Sequence, residues 1–477
     1  MKSQKFSFSE RVQQAQHDAR LQGALQYATT RFVTNRLNAY AALSDGEALR
    51  DQARAIRAKS LARLDELLEQ LTERVEARGG HVCWAADGAA ACRYILGLAQ
   101  ARGVSLVAKS KSMASEEIHL NEALEQAGIE IAETDLGEYI IQLAGETPSH
   151  IIAPAIHKTR EQVSALFEQH LHTPPTDDIP TLTRIARQTL RQRFLRADMG
   201  ISGVNFGVAE QGAIAMVTNE GNARLTTTAP RIHVAIMGIE RVVETLDDLG
   251  VVLQVLGRSA TGQKLSVYTT IISGPARADE PDGADEFHLV LLDNGRSEIL
   301  GSPYAEVLMC IRCGACLNVC PVYQSIGGHA YGGVYSGPIG AVLTPLLQPD
   351  LPDVHLLPHA SSLCGACQEA CPVRIALPDM FLRLRADAVQ AGKAAPAERM
   401  AMHGWRELMN HPPLYRGSGW LAALATHLMG GGGALRTLPP PLDAWTRSRD
   451  FPSFARQSFT AWWQQQQHND ERNGGEA

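Results

Sequence analysis

Seven of the nine cysteines in this 477-residue chain fall between residues 310 and 371, and their spacing restricts what that region can fold around. The first run reads Cys310-Ile-Arg-Cys313-Gly-Ala-Cys316-Leu-Asn-Val-Cys320-Pro321. This is the C-x2-C-x2-C-x3-C-P spacing that holds iron–sulfur clusters in two-cluster electron carriers. The second run, Cys364-Gly-Ala-Cys367-Gln-Glu-Ala-Cys371-Pro372, repeats its last three cysteines and the closing proline. A C-x2-C-x2-C loop wraps three thiolates around one face of a cubane. Small residues such as Gly314 and Ala315 let backbone N–H groups approach the inorganic sulfurs, and the cysteine after x3 points away to serve the other cluster. On that crossing pattern Cys310, Cys313, Cys316 and Cys371 hold the first cluster, and Cys320, Cys364 and Cys367 supply three ligands to the second.

Counted back from Cys371, the place of an eighth cysteine is taken by Ser361. Three readings stay open. Ser361 ligates through its oxygen, a side chain or water from elsewhere completes a [4Fe–4S] site, or the second centre is [3Fe–4S]. A four-iron cluster with a further or labile ligand is the preferred expectation. Zinc would call for closed groups of four thiolates with a longer separation between pairs, and disulfides for an exported chain.

Composition narrows the class. Charged residues make up 20% and hydrophobic ones 45%, as in ordinary globular proteins. The net charge of −7 is mild and there is no basic stripe, which argues against nucleic acid as a partner. The start, Met1-Lys-Ser-Gln-Lys-Phe-Ser-Phe-Ser-Glu, has no apolar core or cleavage site, so no signal peptide is expected. No apolar run approaches the length of a membrane span. Thiolate ligands need a reducing compartment, so the cytoplasm is the expected location. Cys83 and Cys92 lie outside the runs in apolar surroundings and read as core filler.

The chain length suits roughly three domains. Residues 1–79 read as helical, with Ser44-Asp-Gly-Glu47 resembling a capping box and Leu64, Leu67, Leu68, Leu71 and Val75 on one face. From 80 to 300 short apolar runs alternate with helical stretches. His81–Ala85, Val104–Lys109, Ile129–Glu133 and Ser149–Pro154 read as strands, with helices over Asp87–Ala101 and Ser115–Ala127 between them. A long amphipathic helix over Ile179–Asp198 is followed by strands at Val204–Glu210, Ala213–Thr218, Ile232–Met237, Leu265–Ile272 and Phe287–Leu292, with a tight turn at Gln211-Gly212. This alternation implies an α/β domain with a largely parallel sheet. Residues 301–395 carry the cysteines among short helices, and the glycine-rich stretch 327–340 reads as a wrap over the clusters. Residues 396–477 form a C-terminal helical region and tail. Gly430–Gly433 and Pro439–Pro441 are expected to be a linker, Trp462 and Trp463 a docked segment, and the Gln464–Gln467 run disordered.

With the cysteine block following such a domain, the chain resembles the lactate utilisation protein B family. The stretches that carry the likeness are Lys109-Ser-Lys-Ser-Met-Ala-Ser-Glu-Glu117, Glu133-Thr-Asp-Leu-Gly-Glu138, Pro148-Ser-His-Ile-Ile-Ala-Pro-Ala-Ile-His157 and Gly207-Val-Ala-Glu-Gln-Gly212. The resemblance implies a LUD domain of the CoA-transferase and sugar-phosphate-isomerase type, followed by a mostly helical, two-cluster ferredoxin-like domain. It also implies electron transfer during oxidation of L-lactate to pyruvate, alongside other subunits of a lactate utilisation complex. No G-x-G-x-x-G follows a strand, so no flavin or nicotinamide site is recognisable.

Catalytic residues cannot be assigned from the sequence. As candidates, Lys109, Lys111 and Arg224 could pair with a substrate carboxylate, and His157 or Glu210 could take a proton. Glu210 falls in a Gly-x-x-Glu-x-Gly turn resembling the place where fold relatives carry a catalytic acid. Two other functions compete with electron transfer. One is a self-sufficient hydroxy-acid enzyme using an open iron on the second cluster, and the other is a scaffold with structural clusters. Residues 410–430, with Trp420 and Leu421, are candidates for peripheral membrane contact.

Overall fold

In the computed structural model, which describes residues 6–280, 282–430, 433–440 and 442–473, the helical N-terminal region forms four helices. These are α1 (Phe8–His17), α2 (Ala19–Ala41), α3 (Gly46–Ala62) and α4 (Leu64–Glu76). The cap of α3 differs from the expected box. Asp45 rather than Ser44 accepts the Ala48 N–H, because the Glu47 carboxylate is drawn sideways into ion pairs with Arg50 and Arg374. On α4 the five expected apolar side chains are all buried. They lie against Phe287, Leu289 and Leu291, and each leucine so buried contributes about 2 kcal/mol.

The next segment is β1 (His81–Ala85), α5 (Gly88–Ala101), β2 (Leu106–Lys109), α6 (Met113–Glu117), α7 (Leu120–Gln126), β3 (Glu130–Glu133) and α8 (Leu136–Ala144). The single helix expected over Ser115–Ala127 is two, because His119 between them is left-handed at φ 54°. The strand expected at Ser149–Pro154 is absent. That segment is a turned loop in which the buried His150 Nδ1 accepts the N–H groups of Ile152 and Ala153, which leaves it no ladder to join.

After α9 (Arg160–Leu171) and α10 (Ile179–Arg196) come β4 (Met199–Gly203), β5 (Phe206–Val208), β6 (Ala213–Thr218), α11 (Asn222–Thr228), β7 (Ile232–Gly238), β8 (Val242–Val243), α12 (Leu246–Ala260), β9 (Tyr268–Ile272) and β10 (Glu286–Leu292). Six strands make one wholly parallel sheet in the order β1-β10-β7-β4-β2-β3. Along β10 the faces alternate, with Phe287, Leu289 and Leu291 toward α4 and Val290 and Leu292 toward α5. A second sheet, β8-β5-β6-β9, is mixed and was not anticipated. Its strands are two to six residues long, too short for a clear alternation signal. Cys83 and Cys92 are half-buried against the core beneath α5.

The cysteine region adds α13 (Arg296–Leu300), α14 (Ala315–Asn318), α15 (Pro321–Ile326), α16 (Gly337–Leu347), α17 (Ala366–Ala370) and α18 (Leu377–Gln390). It shares one hydrophobic core with α2, α3, α12 and the second sheet. The chain divides into two compact units after Ala388. The second unit holds α19 (Pro396–Asn410), α20 (Pro412–Gly430), β11 (Ala434–Leu435), α21 (Asp443–Thr446), β12 (Phe451–Pro452) and α22 (Phe459–Asn473), with β11 and β12 antiparallel. The expected linker falls partly on residues 431, 432 and 441, outside the described residues. The Gln464–Gln467 run is helical rather than disordered, since it continues a helix that glutamine favours. Trp462 and Trp463 are exposed rather than docked, and both ring-pack on Phe459 one turn earlier.

Within the parallel sheet His233 is buried, paired with Ser202 at 2.8 Å, and burial pulls its pKa down to about 3. A folded pKa below the unfolded value means this stability is complete above about pH 6.5 and is lost as pH falls toward 3, at up to about 1.4 kcal/mol per pH unit. Urea unfolding across that window is expected to show a shallower acid decline for His233→Gln than for the wild type. Parallel declines would contradict this.

Candidate iron–sulfur site and the adjoining cleft

Both cysteine loops are built on one backbone device. Arg312 and Leu363, each immediately before a cysteine, are left-handed at φ 58° and 56°. Gly314 and Gly365, each immediately after, are left-handed at 75° and 82° and open the short helices α14 and α17. Non-glycine residues adopt that region rarely, and such strain collects at functional sites. It turns N–H groups toward sulfur. Arg312 donates to Cys310 Sγ at 3.4 Å, Tyr323 to Cys320 Sγ at 3.5 Å and Ile375 to Cys371 Sγ at 3.4 Å.

The seven thiols fall into two neighbourhoods. Burial raises the Cys313 pKa, and repulsion from Cys371 and Cys310 adds to it. Cys316 is raised likewise by burial and then by Cys310, Cys313 and Cys371. Burial pushes Cys371 up to about 11, with Cys310 adding. In the other neighbourhood burial pushes Cys367 up to about 12, helped by Cys320 and Cys364. Cys364 is exposed, and a hydrogen bond from Ser362 lowers its pKa. Buried thiols that repel one another as thiolates fit a cationic inorganic core, whose binding expels their protons. Four sulfurs on one zinc at about 2.3 Å would stand under about 4 Å apart. Among the described residues no three of these sulfurs gather within 4.8 Å. The donor set fits iron–sulfur clusters.

Arginines frame the loops. From α3, the Arg50 guanidinium donates to the carbonyls of Glu369 and Cys371, Arg54 to those of Val373 and Arg374, and Arg57 to those of Val242, Glu240, Leu308 and Met309. After β7, Arg241 donates to the Cys310 carbonyl at 2.7 Å. Burial pulls Arg57 down to about 9 and Arg241 to about 10, so both remain charged at neutral pH.

The turned loop that replaced the expected strand is a bracket. Tyr323 Oη donates to the Ser149 carbonyl at 2.8 Å, and His150 Nε2 pairs with Asn318 Oδ1 at 3.1 Å. The glycine-rich stretch brings in Tyr331, a buried side chain whose hydroxyl has no hydrogen-bond partner among the described residues. It interacts electrostatically with Cys320, Cys316 and Cys367, members of both neighbourhoods.

A cleft of about 350 Å³ opens at the carboxyl ends of β2, β4 and β7 and reaches Arg312 and Cys313. Crevices at this edge of parallel sheets are the usual ligand sites of α/β folds. One wall is a charge relay of fixed geometry. Arg296 pairs with Glu117 at 2.8 Å and with Glu240 at 2.7 Å, Tyr335 Oη donates to Glu117 at 2.7 Å, and the Arg312 guanidinium lies 4.5 Å over the Tyr335 ring. Burial disfavours the Glu117 carboxylate, but Arg296 more than offsets this and its pKa is lowered.

Of the substrate candidates, only Lys111 lines this cleft. Among the described residues its side-chain nitrogen makes no hydrogen bond and stands 4.0 Å from Glu138, and burial drives both toward their neutral forms. Burial also opposes the charge on Lys109, but Glu116 and Glu133 more than offset it, so this lysine is a buried structural cation with a raised pKa. Arg224 and Glu210 are exposed and outside the cleft. His157 pairs with Glu146 at 2.7 Å. With His329 these two form a triad within 4.8 Å, whose members already bond to Lys158 and to the Thr147 carbonyl. The structure therefore does not assemble the five candidates into one site. Arg241, Arg312, Glu240 and Tyr335 went unnoticed in the sequence, although Arg312 sits between two cysteines.

Fold and thiols together define an iron–sulfur protein built on an α/β domain. Residues 68–292 match the LUD domain, 306–375 the 4Fe-4S dicluster domain, and 385–468 the lactate utilisation protein B C-terminal domain. Proteins named lactate utilization protein B from Bacillus thuringiensis (strain Al Hakam) and Bacillus anthracis (strain A0248) are each 45% identical over all of this chain and 99% of their own length. The chain belongs to the lactate utilisation protein B family. A crystal structure of a DUF162 family protein from Deinococcus radiodurans covers 48% of this chain and 98% of its own, at 10% identity and a TM-score of 0.27. Among the described residues no helix is long and apolar enough to cross a membrane.

Arg57 is the arginine most committed to carbonyls. Arg57→Met is expected to cost on the order of 3 kcal/mol or more, because it strands several buried acceptors. Urea unfolding followed by far-UV circular dichroism reads this, and an unchanged midpoint would contradict it.

Proposed function

We propose that this protein is a cytoplasmic electron-transfer subunit in the oxidation of L-lactate to pyruvate. In this reading Cys310, Cys313, Cys316 and Cys371 hold one [4Fe–4S] cluster, and Cys320, Cys364 and Cys367 hold most of a second. The observation that carries it is the meeting of the two thiol neighbourhoods. The helix α14 that carries Cys316 packs on the helix α17 that carries Cys367, and Cys313, Cys320, Cys367, Cys371 and Tyr331 share one hydrophobic core, so the two sites adjoin inside one buried region. When bound, the clusters supply one-electron redox chemistry.

The chain's own residues do the rest. Arg50, Arg54 and Arg241 fix the loop carbonyls so that the thiols keep their positions when the charge between them changes. Tyr331, Tyr335 and Leu317 fill the space around the loops and exclude water. The cleft ending at Cys313 gives a small electron donor or acceptor access to the first thiol set, and the Lys111 amine offers it a polar contact. Family membership, together with what the Bacillus relatives are called, supports lactate as the fuel and other subunits of a lactate utilisation system as partners. The second unit leaves Trp405, Leu414, Trp420 and Leu428 exposed, which supports a role in contacting such partners.

Anaerobically reconstituted full-length protein is expected to show broad visible absorption that dithionite bleaches, and to leave lactate untouched with an artificial acceptor until partner proteins are added. Colourless, iron-free protein would contradict the reading. Lactate oxidation by the chain alone would favour a self-contained hydroxy-acid enzyme instead.

A further inference from the structure

The position left open in the cysteine pattern repeats the geometry of its filled counterpart. Leu363 N–H donates to Ser361 Oγ at 3.1 Å, just as Arg312 N–H donates to Cys310 Sγ at 3.4 Å. The following residues match in conformation as well. A left-handed Leu363 mirrors Arg312, and a left-handed Gly365 opening α17 mirrors Gly314 opening α14. The Ser361 side chain therefore leaves its loop as the Cys310 side chain leaves its own. It lines one cavity with Cys320, Cys364 and Cys367, the three thiols that want a fourth partner. The loop is held from behind by Arg385, whose guanidinium donates to the carbonyls of Pro358 at 2.9 Å and Ser361 at 3.3 Å.

We infer that Ser361 is the fourth protein ligand of the second cluster, binding iron through Oγ as an alkoxide; this rests on the two-cluster reading above. An Fe–O bond forms, the O–H bond breaks, and the proton leaves to water, which reaches the loop at the exposed Ser362, Leu363 and Cys364. No electron moves in this step. Oxygen is a harder donor than thiolate, so the iron at this corner should be held less firmly than by cysteine and more firmly than by no side chain at all.

The test uses full-length wild type, Ser361→Ala and Ser361→Cys, each reconstituted anaerobically and assayed for iron. Each is then treated with mild ferricyanide and followed by EPR for the [3Fe–4S]+ signal. All three are expected to load about eight irons. The three-iron signal should grow several-fold faster in Ser361→Ala than in the wild type and several-fold slower in Ser361→Cys. Equal rates in wild type and Ser361→Ala, with about eight irons in both, would overturn the serine assignment alone. About four irons in the wild type would overturn the two-cluster reading and the serine ligand with it.

Discussion

The cysteine loops keep their shape because buried guanidinium groups take up their carbonyl oxygens. A loop that wraps an inorganic core turns its N–H groups inward, toward sulfur, and so points its carbonyls outward with no helix or sheet partner. Buried carbonyls left in that state are costly. Arg50 and Arg54, one turn apart on α3, meet those of Cys371 and Arg374, Arg241 meets the Cys310 carbonyl from the end of β7, and Arg57, the next turn of α3, takes the Leu308 and Met309 carbonyls just ahead of the first cysteine. Arginine suits the task because its planar fork carries five donors and stays charged when buried. The same charges lie near the thiols, with Arg50 acting on Cys371 and Arg57 interacting with Cys310. One set of side chains thus both shapes the loops and offsets the negative charge gathered inside them.

This arrangement ties the α/β domain to the cysteine region. Arg57 reaches Glu240 and Val242 beyond β7 as well as Leu308 and Met309 ahead of the first cysteine. The relay from Glu117 through Arg296 and Glu240 to Arg312 runs along the same border. The carboxyl edge of the parallel sheet, where α/β folds bind small molecules, therefore abuts Cys313 directly. The LUD domain supplies the cleft, and the cysteine region supplies its floor.

Much of this was legible in the sequence, and the gaps have physical causes. The cysteine spacing is a local code, so the loops could be read without knowing what surrounds them. The α4 leucines carry clean periodicity, strands such as Ile232–Met237 are mostly apolar runs buried on both faces, and both form where expected. Ser149–Pro154 looked like a strand because Ile151 and Ile152 are apolar. His150, buried and bonded to its own loop, turned the segment into a bracket against α15 instead. The row on α3 was missed because arginines on an N-terminal helix ordinarily read as a solvated face. Their acceptors lie about 185 to 320 residues away, beyond any local pattern. Charge marks Lys109 and Lys111 alike in the sequence, and burial separates Lys111 in the cleft from Lys109, which is locked in ion pairs.

The most direct test is low-temperature EPR of the dithionite-reduced full-length chain. Adjoining one-electron centres should give two reduced signals whose shapes are broadened by magnetic interaction, with the spin integrating to both. A lone unperturbed signal, or thiols that titrate with zinc and give none, would contradict the pairing of centres on which the account stands.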